Sequence, residues 1–338
     1  MLRPLQWGLA GLALFFLNRC AVNQTHDVQI YWHVLNTGRS GSVLPYHTED
    51  PLTLKNALIL ANTHNEQMAI AGEDYLQTLI DKDRAFAAFL PTISFAPTFM
   101  LQGKTAYAAN NPLIAEFEPN HTTDLPVAGN MDLHLFRDVP ALQTAGAFAK
   151  MQRAVLLDRQ ALLMLDVART YFQVMHSEKQ VAVLKYSIKV ARQRLADIQV
   201  KEKTGVARPV DVFLAESQLA KTQNELIQAK ADVKNGRAML AFLIGVPAVK
   251  GPLTGGLKIP SINWHIDTLL KLTETHRQDL TAAHERVKAA AAALEAAWGE
   301  YFPSVSLNLM RYLSRDTFPN DVDWTSMIQV NVPIFQPD

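Results

Sequence analysis

Between residues 181 and 243 the apolar positions fall into two runs with one period. Val181, Leu184, Ile188, Ala191, Leu195 and Ile198 are 3, 4, 3, 4 and 3 residues apart; Ala215, Leu219, Thr222, Leu226, Ala229 and Val233 are 4, 3, 4, 3 and 4 apart, and the seam continues through Gly236, Leu240 and Leu243. Charged and amide side chains fill the gaps, which is the heptad pattern of a coiled coil. The runs are interrupted at Lys203-Thr204-Gly205-Val206-Ala207-Arg208-Pro209. Glycine suits the left-handed end of one helix and proline the first turn of the next. In an antiparallel hairpin, facing residues have a constant index sum. Ile198 with Ala215, Leu195 with Leu219, Ala191 with Thr222 and Ile188 with Leu226 all total 413 or 414. The pattern therefore predicts a hairpin turning near Val206. No helix breaker occurs from about Gln143 to Lys203, so the first arm reaches about 90 Å at 1.5 Å per residue. Such a rod is a spacer, or it lines something tall. It ends at Leu243-Ile244-Gly245-Val246-Pro247, and a Gly/Pro-rich connector from Gly251 to Pro260 follows.

Flanking this hairpin, two distant stretches match when the chain is slid by 212 residues. Leu58 falls on Leu270, Met68 on Leu280, Ala71 on Ala283, Ala85 on Ala297, Phe89 on Tyr301, and Pro91 on Pro303. After the proline, Thr92-Ile93-Ser94-Phe95 falls on Ser304-Val305-Ser306-Leu307. Each copy reads as a long helix, an aromatic pair, a proline stop and an alternating strand, and the joint match points to an internal duplication. Val139-Pro140 and Val332-Pro333 are read as the ends of a second strand in each copy. Val305, Leu307 and Leu309 oppose Ser304, Ser306 and Asn308; Ile93, Phe95 and Phe99 oppose Ser94 and Thr98; Ile328, Val330, Val332 and Ile334 oppose Gln329 and Asn331. Alternation of this kind suits a membrane barrel with a wet lumen and equally one face of a soluble sheet. On the pattern alone the soluble sheet is the simpler reading, and Pro97 counts against a fully paired barrel strand.

The 338 residues carry 32 Lys+Arg and 32 Asp+Glu, so the net charge is zero, which argues against a nucleic-acid-coating protein. Hydrophobic residues make up 49%, which excludes wholesale disorder. The single cysteine excludes an internal disulfide and any zinc site needing two thiolates. That cysteine, Cys20, lies three residues after the apolar run Trp7–Leu17, which Arg3 precedes and which reads as an export signal too short to span a membrane. This is where bacterial lipoproteins carry a lipid anchor, although Arg19 is not the small residue normally found before it; an incidental thiol is the alternative. No later segment is apolar for long enough to be a transmembrane helix, so strands would have to make any crossing.

Catalytic and cofactor motifs are missing: there is no Gly-rich phosphate loop, nucleophile elbow or metalloprotease helix. The ten histidines are scattered. His276 and His284 lie two turns apart, too far to share one ion unaided, so no metal site is expected. Asp124, Asp132 and Asp138 are placed in or near an external loop and the second strand, as solvated carboxylates. Trp324, opening the last strand, suits an aromatic girdle or a packed core.

At these residues the chain resembles the outer-membrane efflux duct family whose archetype is TolC, from Leu52 to Phe335. The resemblance is carried by Phe89-Leu90-Pro91-Thr92-Ile93-Ser94 and its copy Tyr301-Phe302-Pro303-Ser304-Val305-Ser306. It is also carried by Arg277-Gln278-Asp279-Leu280, Asp166-Val167-Ala168-Arg169-Thr170-Tyr171, Gly205 with Asp211-Val212, and Leu243-Ile244-Gly245-Val246-Pro247. It implies an α+β fold, with long antiparallel coiled-coil helices plus four transmembrane strands. These contribute to a trimeric 12-stranded β-barrel and an α-helical periplasmic barrel. It implies a homotrimer in the outer membrane, with the helical part in the periplasm, docking to a periplasmic adaptor served by an inner-membrane pump of the RND type. The duct is passive: no enzyme, no cofactor, no nucleic acid. The same resemblance admits the exit duct of a type I protein secretion system, and a non-transporting coiled-coil periplasmic scaffold remains an alternative. A periplasmic adaptor also carries a coiled-coil hairpin, but the lipoyl-like β segments that would flank it are not found.

The resulting layout is a signal segment at 1–20, possibly of lipoprotein type, an N-terminal extension at 21–51 and the helix of repeat 1 at 52–91. A strand pair with its external loop follows at 92–140, the hairpin at 141–247 and a linker at 248–263. The helix of repeat 2 occupies 264–303, and the second strand pair 304–338. Family members continue with a second hairpin where this sequence stops, so a truncated product, a shortened gene or a partial sequence is expected. Gly205, Val206, Ala207, Arg208 and Pro209 resemble the adaptor-docking turn, or form an ordinary hairpin turn. Asp211 matches a family aspartate that latches the closed tip; alternatively it is a first-turn acid favourable to the helix dipole.

Overall fold

A computed structural model describes residues 24–36, 45–103, 121–256 and 265–335. In chain order the elements are α1 (Gln24–Asn36), β1 (Leu52–Thr53), α2 (Leu54–His64), α3 (Glu66–Ala87), β2 (Thr92–Phe95) and β3 (Thr98–Leu101). Then come β4 (His121–Asp124), β5 (Pro126–Leu133), α4 (Leu135–Lys203), α5 (Pro209–Ile244), β6 (Leu253–Thr254), α6 (Ile266–His276), α7 (Gln278–Gly299), β7 (Ser304–Tyr312) and β8 (Trp324–Asn331). They divide into two units, one of residues 1–76 and 155–278, the other of residues 77–154 and 279–338.

The duplication appears in the element boundaries. The helices α2 and α6 are both 11 residues, α3 and α7 both 22, and every start is displaced by 212, as are β2 and β7. Each predicted helix of a repeat is in fact two, broken at Asn65 in one copy and Arg277 in the other, both in extended backbone. Neither residue is a local breaker by type. In the first copy the break is held by long-range bonding: the Asn65 amide donates to the Leu243 carbonyl at 3.0 Å, while its Oδ1 accepts from the Met68 N–H at 3.1 Å.

In the first unit, Leu52, Ala57, Leu60 and Ala61 pack with Val167 and Tyr171 of α4 and with Leu240, Ala241, Leu243 and Ile244 of α5. Burial of such apolar surface drives this arrangement. The linker region contributes β6, which pairs in parallel with β1, Leu52 against Leu253. The Tyr171 hydroxyl lies 2.7 Å from both the Leu52 and the Thr254 carbonyls, closing that ribbon onto α4. Arg237 ties α5 to α4 through Glu178, 2.9 Å from its Nε, and reaches the Val249 and Gly251 carbonyls with Nη1. The hairpin seam matches its pattern, since Leu184, Ile188, Thr222, Ala229 and Leu240 are buried and the other seam positions half-buried or buried. The N-terminal extension contains α1, whose Tyr31 ring lies so close to Gly72 that a Cβ there would be 2.6 Å away. Leu35 of α1 is buried, and its carbonyl accepts from Gln160 at 2.9 Å.

In the second unit, β2, β5, β7 and β8 form one antiparallel sheet in that spatial order. Pro97 does interrupt the first strand. Beyond it, β3 leaves this sheet and pairs with β4 alone. The reading of Val139-Pro140 as a strand end is corrected: β5 ends at Leu133, and both residues lie in the opening turns of α4. Proline is tolerated near a helix start because little of the hydrogen-bond ladder precedes it. The placement of Asp138 as a solvated loop carboxylate is corrected with it. Asp138 is buried at the start of α4, accepting the His134 N–H at 3.0 Å and paired with Arg137 Nε at 2.9 Å.

Candidate functional site: the hairpin tip and the two-faced sheet

The tip belongs wholly to the first unit. Two residues beyond the end of α4 at Lys203, Gly205 takes φ +75°, and the Gly205 and Val206 N–H groups donate back to the Glu202 and Lys201 carbonyls at 2.9 and 2.8 Å. This is the double closure of a helix terminus that glycine permits without a Cβ penalty. Pro209 opens α5, and Arg208 caps it. The Arg208 N–H donates to Asp211 Oδ2 at 3.0 Å, and its guanidinium reaches Oδ1 at 3.5 Å. The Arg208 N–H bond, opposed by slight desolvation and helped by the guanidinium, holds the Asp211 carboxyl below its ordinary 3.8. Both carboxylate oxygens are thus engaged locally at the helix start, the arrangement a first-turn acid favours. Around this turn Val206 is 76% exposed and Phe213 68%, with Val210 and Leu214 also exposed. Val206, Gly205, Arg208 and Pro209 form the apex, with Ala207 half-buried. Cys20 lies outside the described residues.

The sheet of the second unit has two chemically distinct faces, set by register. Paired rows on one face run Leu133–Val305–Val330 and Met131–Leu307–Ile328. On the other they run Asp132–Ser306–Gln329 and Thr92–Asn130–Asn308–Met327. The apolar rows are uncovered among the described residues: Ile93 is 75% exposed, Ile328 71% and Val330 61%. A soluble sheet buries its apolar face; this one does not. Trp324, paired with Arg311, is exposed on the same face rather than packed in a core. At one end, the close of β4 is tied to the loop after β7 by reciprocal carboxylates. Asp124 accepts from the Asp316 and Thr317 N–H groups at 2.8 and 3.1 Å, and Asp316 accepts from the Thr123 N–H at 2.9 Å. Among the described residues no three His, Cys, Asp or Glu side chains cluster to hold a metal, and no helix is long and apolar enough to cross a membrane. The second fact does not bear on strands.

Sequence reasoning singled out neither Arg237 nor Glu178, because their pairing joins positions 59 residues apart on two helices. Tyr171 was within a noted motif, but its clamp on β1 and β6 depends on two-residue strands too short to leave a periodic signal.

The model of the family described as outer membrane efflux protein matches residues 58–246, more than half of the chain. The chain belongs to this family. Among curated relatives, the probable outer membrane lipoprotein SilC of Salmonella typhimurium is 26% identical over 52% of this chain and 39% of its own length. The pyoverdine export outer membrane protein OpmQ of Pseudomonas putida is 21% identical over 80% and 58%. The chain therefore spans about half the length of the curated relatives it matches. Crystal structures of CusC superpose with a TM-score of 0.70 at 16% identity, covering 88% of this chain and 70% of that one. VceC of Vibrio cholerae gives 0.69 at 16%, covering 84% and 69%. At these identities the structural likeness establishes the fold: a family member combining an α-helical hairpin with β-strands.

Proposed function

We propose that the protein is an outer-membrane channel subunit, a passive exit duct for small molecules in a tripartite efflux system. The single observation that carries this reading is the exposed two-faced sheet. Its apolar rows suit lipid, and its Ser, Asn, Asp and Gln rows suit a water-filled lumen. Four strands cannot close a barrel with a lumen by themselves, so the sheet's two edges, β2 and β8, call for further strands. Three copies contributing four each give a twelve-stranded barrel. The helical hairpin then stands in the periplasm, and the exposed apex around Gly205, Val206, Ala207, Arg208 and Pro209 is the surface offered to a periplasmic adaptor linked to an inner-membrane pump. Asp211 acts as a local helix cap there. A gate-latch role would need a partner beyond Arg208. The protein supplies no chemistry; transport energy comes from the pump.

Expression in a Gram-negative host, followed by density separation of membranes and alkaline extraction, tests the placement. The expected result is recovery in the outer-membrane fraction, resistant to extraction, with cross-linking that stops at three copies. Recovery as a monomer in the soluble periplasmic fraction would overturn it and favour the scaffold.

A further inference from the structure

The uncovered face of the four-stranded sheet carries a single charge. Its first three rows, counted from the helical end and closing with Ile93–Gly129–Leu309–Ser326, hold no ionisable side chain. The fourth row is Phe95–Val127–Arg311–Trp324. Arg311 therefore stands at the border remote from α7 and from the start of α4, which join the sheet beside Ser304 and Leu133. It is exposed, and so are Phe95 and Trp324 in its row. Among the described residues no hydrogen bond, ion pair or ring contact engages its guanidinium. Arg315, by contrast, is occupied, 4.4 Å from the centroid of the Tyr312 ring.

A cation on a lipid-facing strand is opposed most strongly at the bilayer midplane and least at the headgroups. The height of Arg311 agrees with the second position. Phe302, stacked on Phe136 at 4.6 Å, marks the helical border of the sheet. Nine residues separate it from Arg311. At 3.3 Å per residue that is ~30 Å of strand, or about 23 Å of height at a tilt near 40°. An outward apolar band is about 25 Å tall and ends in aromatic girdles on both sides. Arg311 and Trp324 thus fall on the far edge of the band.

We propose that Arg311, with Trp324 beside it, binds a phosphate group of the outer-leaflet glycolipid, lipid A. The inference rests on the reading of this face as lipid-facing and adds to it a residue and a lipid. With the helices in the periplasm, the far border meets the outer leaflet, where the anionic groups at this depth are the phosphates of that glycolipid. A guanidinium offers two parallel N–H donors to two phosphate oxygens in a fixed fork. The indole presents an apolar ring to the acyl chains and a polar edge to the headgroup. Pairing to Val127 on one side and Trp324 on the other fixes the backbone of Arg311 within the sheet rather than in a loop.

The test uses the full chain with Cys20→Ser and a fluorophore on Ser326→Cys, one row from Arg311 on the same face, in vesicles of brominated phosphatidylcholine. A second preparation carries the label on Ile328→Cys, deeper in the band. Diphosphoryl lipid A, or the same lipid stripped of both phosphates, is then titrated in. The phosphorylated form is expected to relieve quenching at position 326 at about five-fold lower mole fraction, the ~1 kcal/mol of one basic side chain at a membrane surface. Arg311→Gln should remove that preference and Arg311→Lys should keep part of it, while the label at 328 should not distinguish the two lipids. The comparison of lipids on the unsubstituted Arg311 needs no further variant, and Arg311→Met serves should the glutamine variant fail to fold. Equal displacement by both lipids, or a preference that survives Arg311→Gln, overturns the inference while leaving the lipid-facing reading intact. Absence of quenching at both positions before titration would remove that reading and the inference together.

Discussion

Gly205 holds φ +75° with nothing within 4 Å of where a Cβ would be, so a side chain there meets no clash and only conformational strain. Gly205→Val is expected to destabilise the tip by about 1–2 kcal/mol, the cost of a left-handed L-residue, read as increased hydrogen exchange at residues 200–210. Asp211 makes the same turn pH-sensitive. Its folded pKa is lowered, so the stability it adds is present above its unfolded value and is lost as pH falls through the folded one. Protection of the Arg208 N–H relative to its intrinsic exchange rate should therefore fall on acidification below about 3.8, and that pH dependence should vanish in Asp211→Asn. Tyr171 acts at greater depth: its hydroxyl lies 2.7 Å from the buried Leu52 carbonyl and 2.7 Å from the Thr254 carbonyl. Tyr171→Phe leaves them without that donor and should cost about 1–3 kcal/mol in thermal or denaturant unfolding.

Among the elements, the α4–α5 hairpin is tied at its base by Arg237, which holds one carboxylate and two carbonyls from a planar fork. Arg237→Ala should cost about 1.5–3 kcal/mol, and Arg237→Lys should restore less than half, because an ammonium cannot span all three acceptors. Seen from the sequence, the hairpin was almost fully legible, since its contacts lie along one heptad seam and its turn carries glycine and proline. The duplication was legible for the same reason, with spacing surviving where identities did not. What the sequence concealed was non-local. Asn65 breaks a helix through a bond to Leu243, 178 residues away. The start of α4 was hidden because Val139-Pro140 imitates a strand end, while its actual signal, Asp138 bonding back to His134, looks like an ordinary acidic loop residue. Of the candidate tip residues, the turn geometry was foreseeable; the role of Asp211 required seeing both its oxygens bonded to Arg208.

For the whole molecule, the claim that matters is that the sheet's apolar face meets lipid and its polar face meets water. Alternation alone left a soluble sheet open; the exposure of the apolar rows on folded strands is what separates the two readings. Single cysteines introduced at Leu307, Ser306, Ile328 and Gln329 in a Cys20→Ser background, labelled with an environment-sensitive fluorophore and reconstituted in vesicles, address this directly. The account predicts that labels at Leu307 and Ile328 are quenched by nitroxide-bearing lipids and those at Ser306 and Gln329 by aqueous iodide. Equal iodide quenching at all four positions, with no response to the lipid nitroxide, would contradict it.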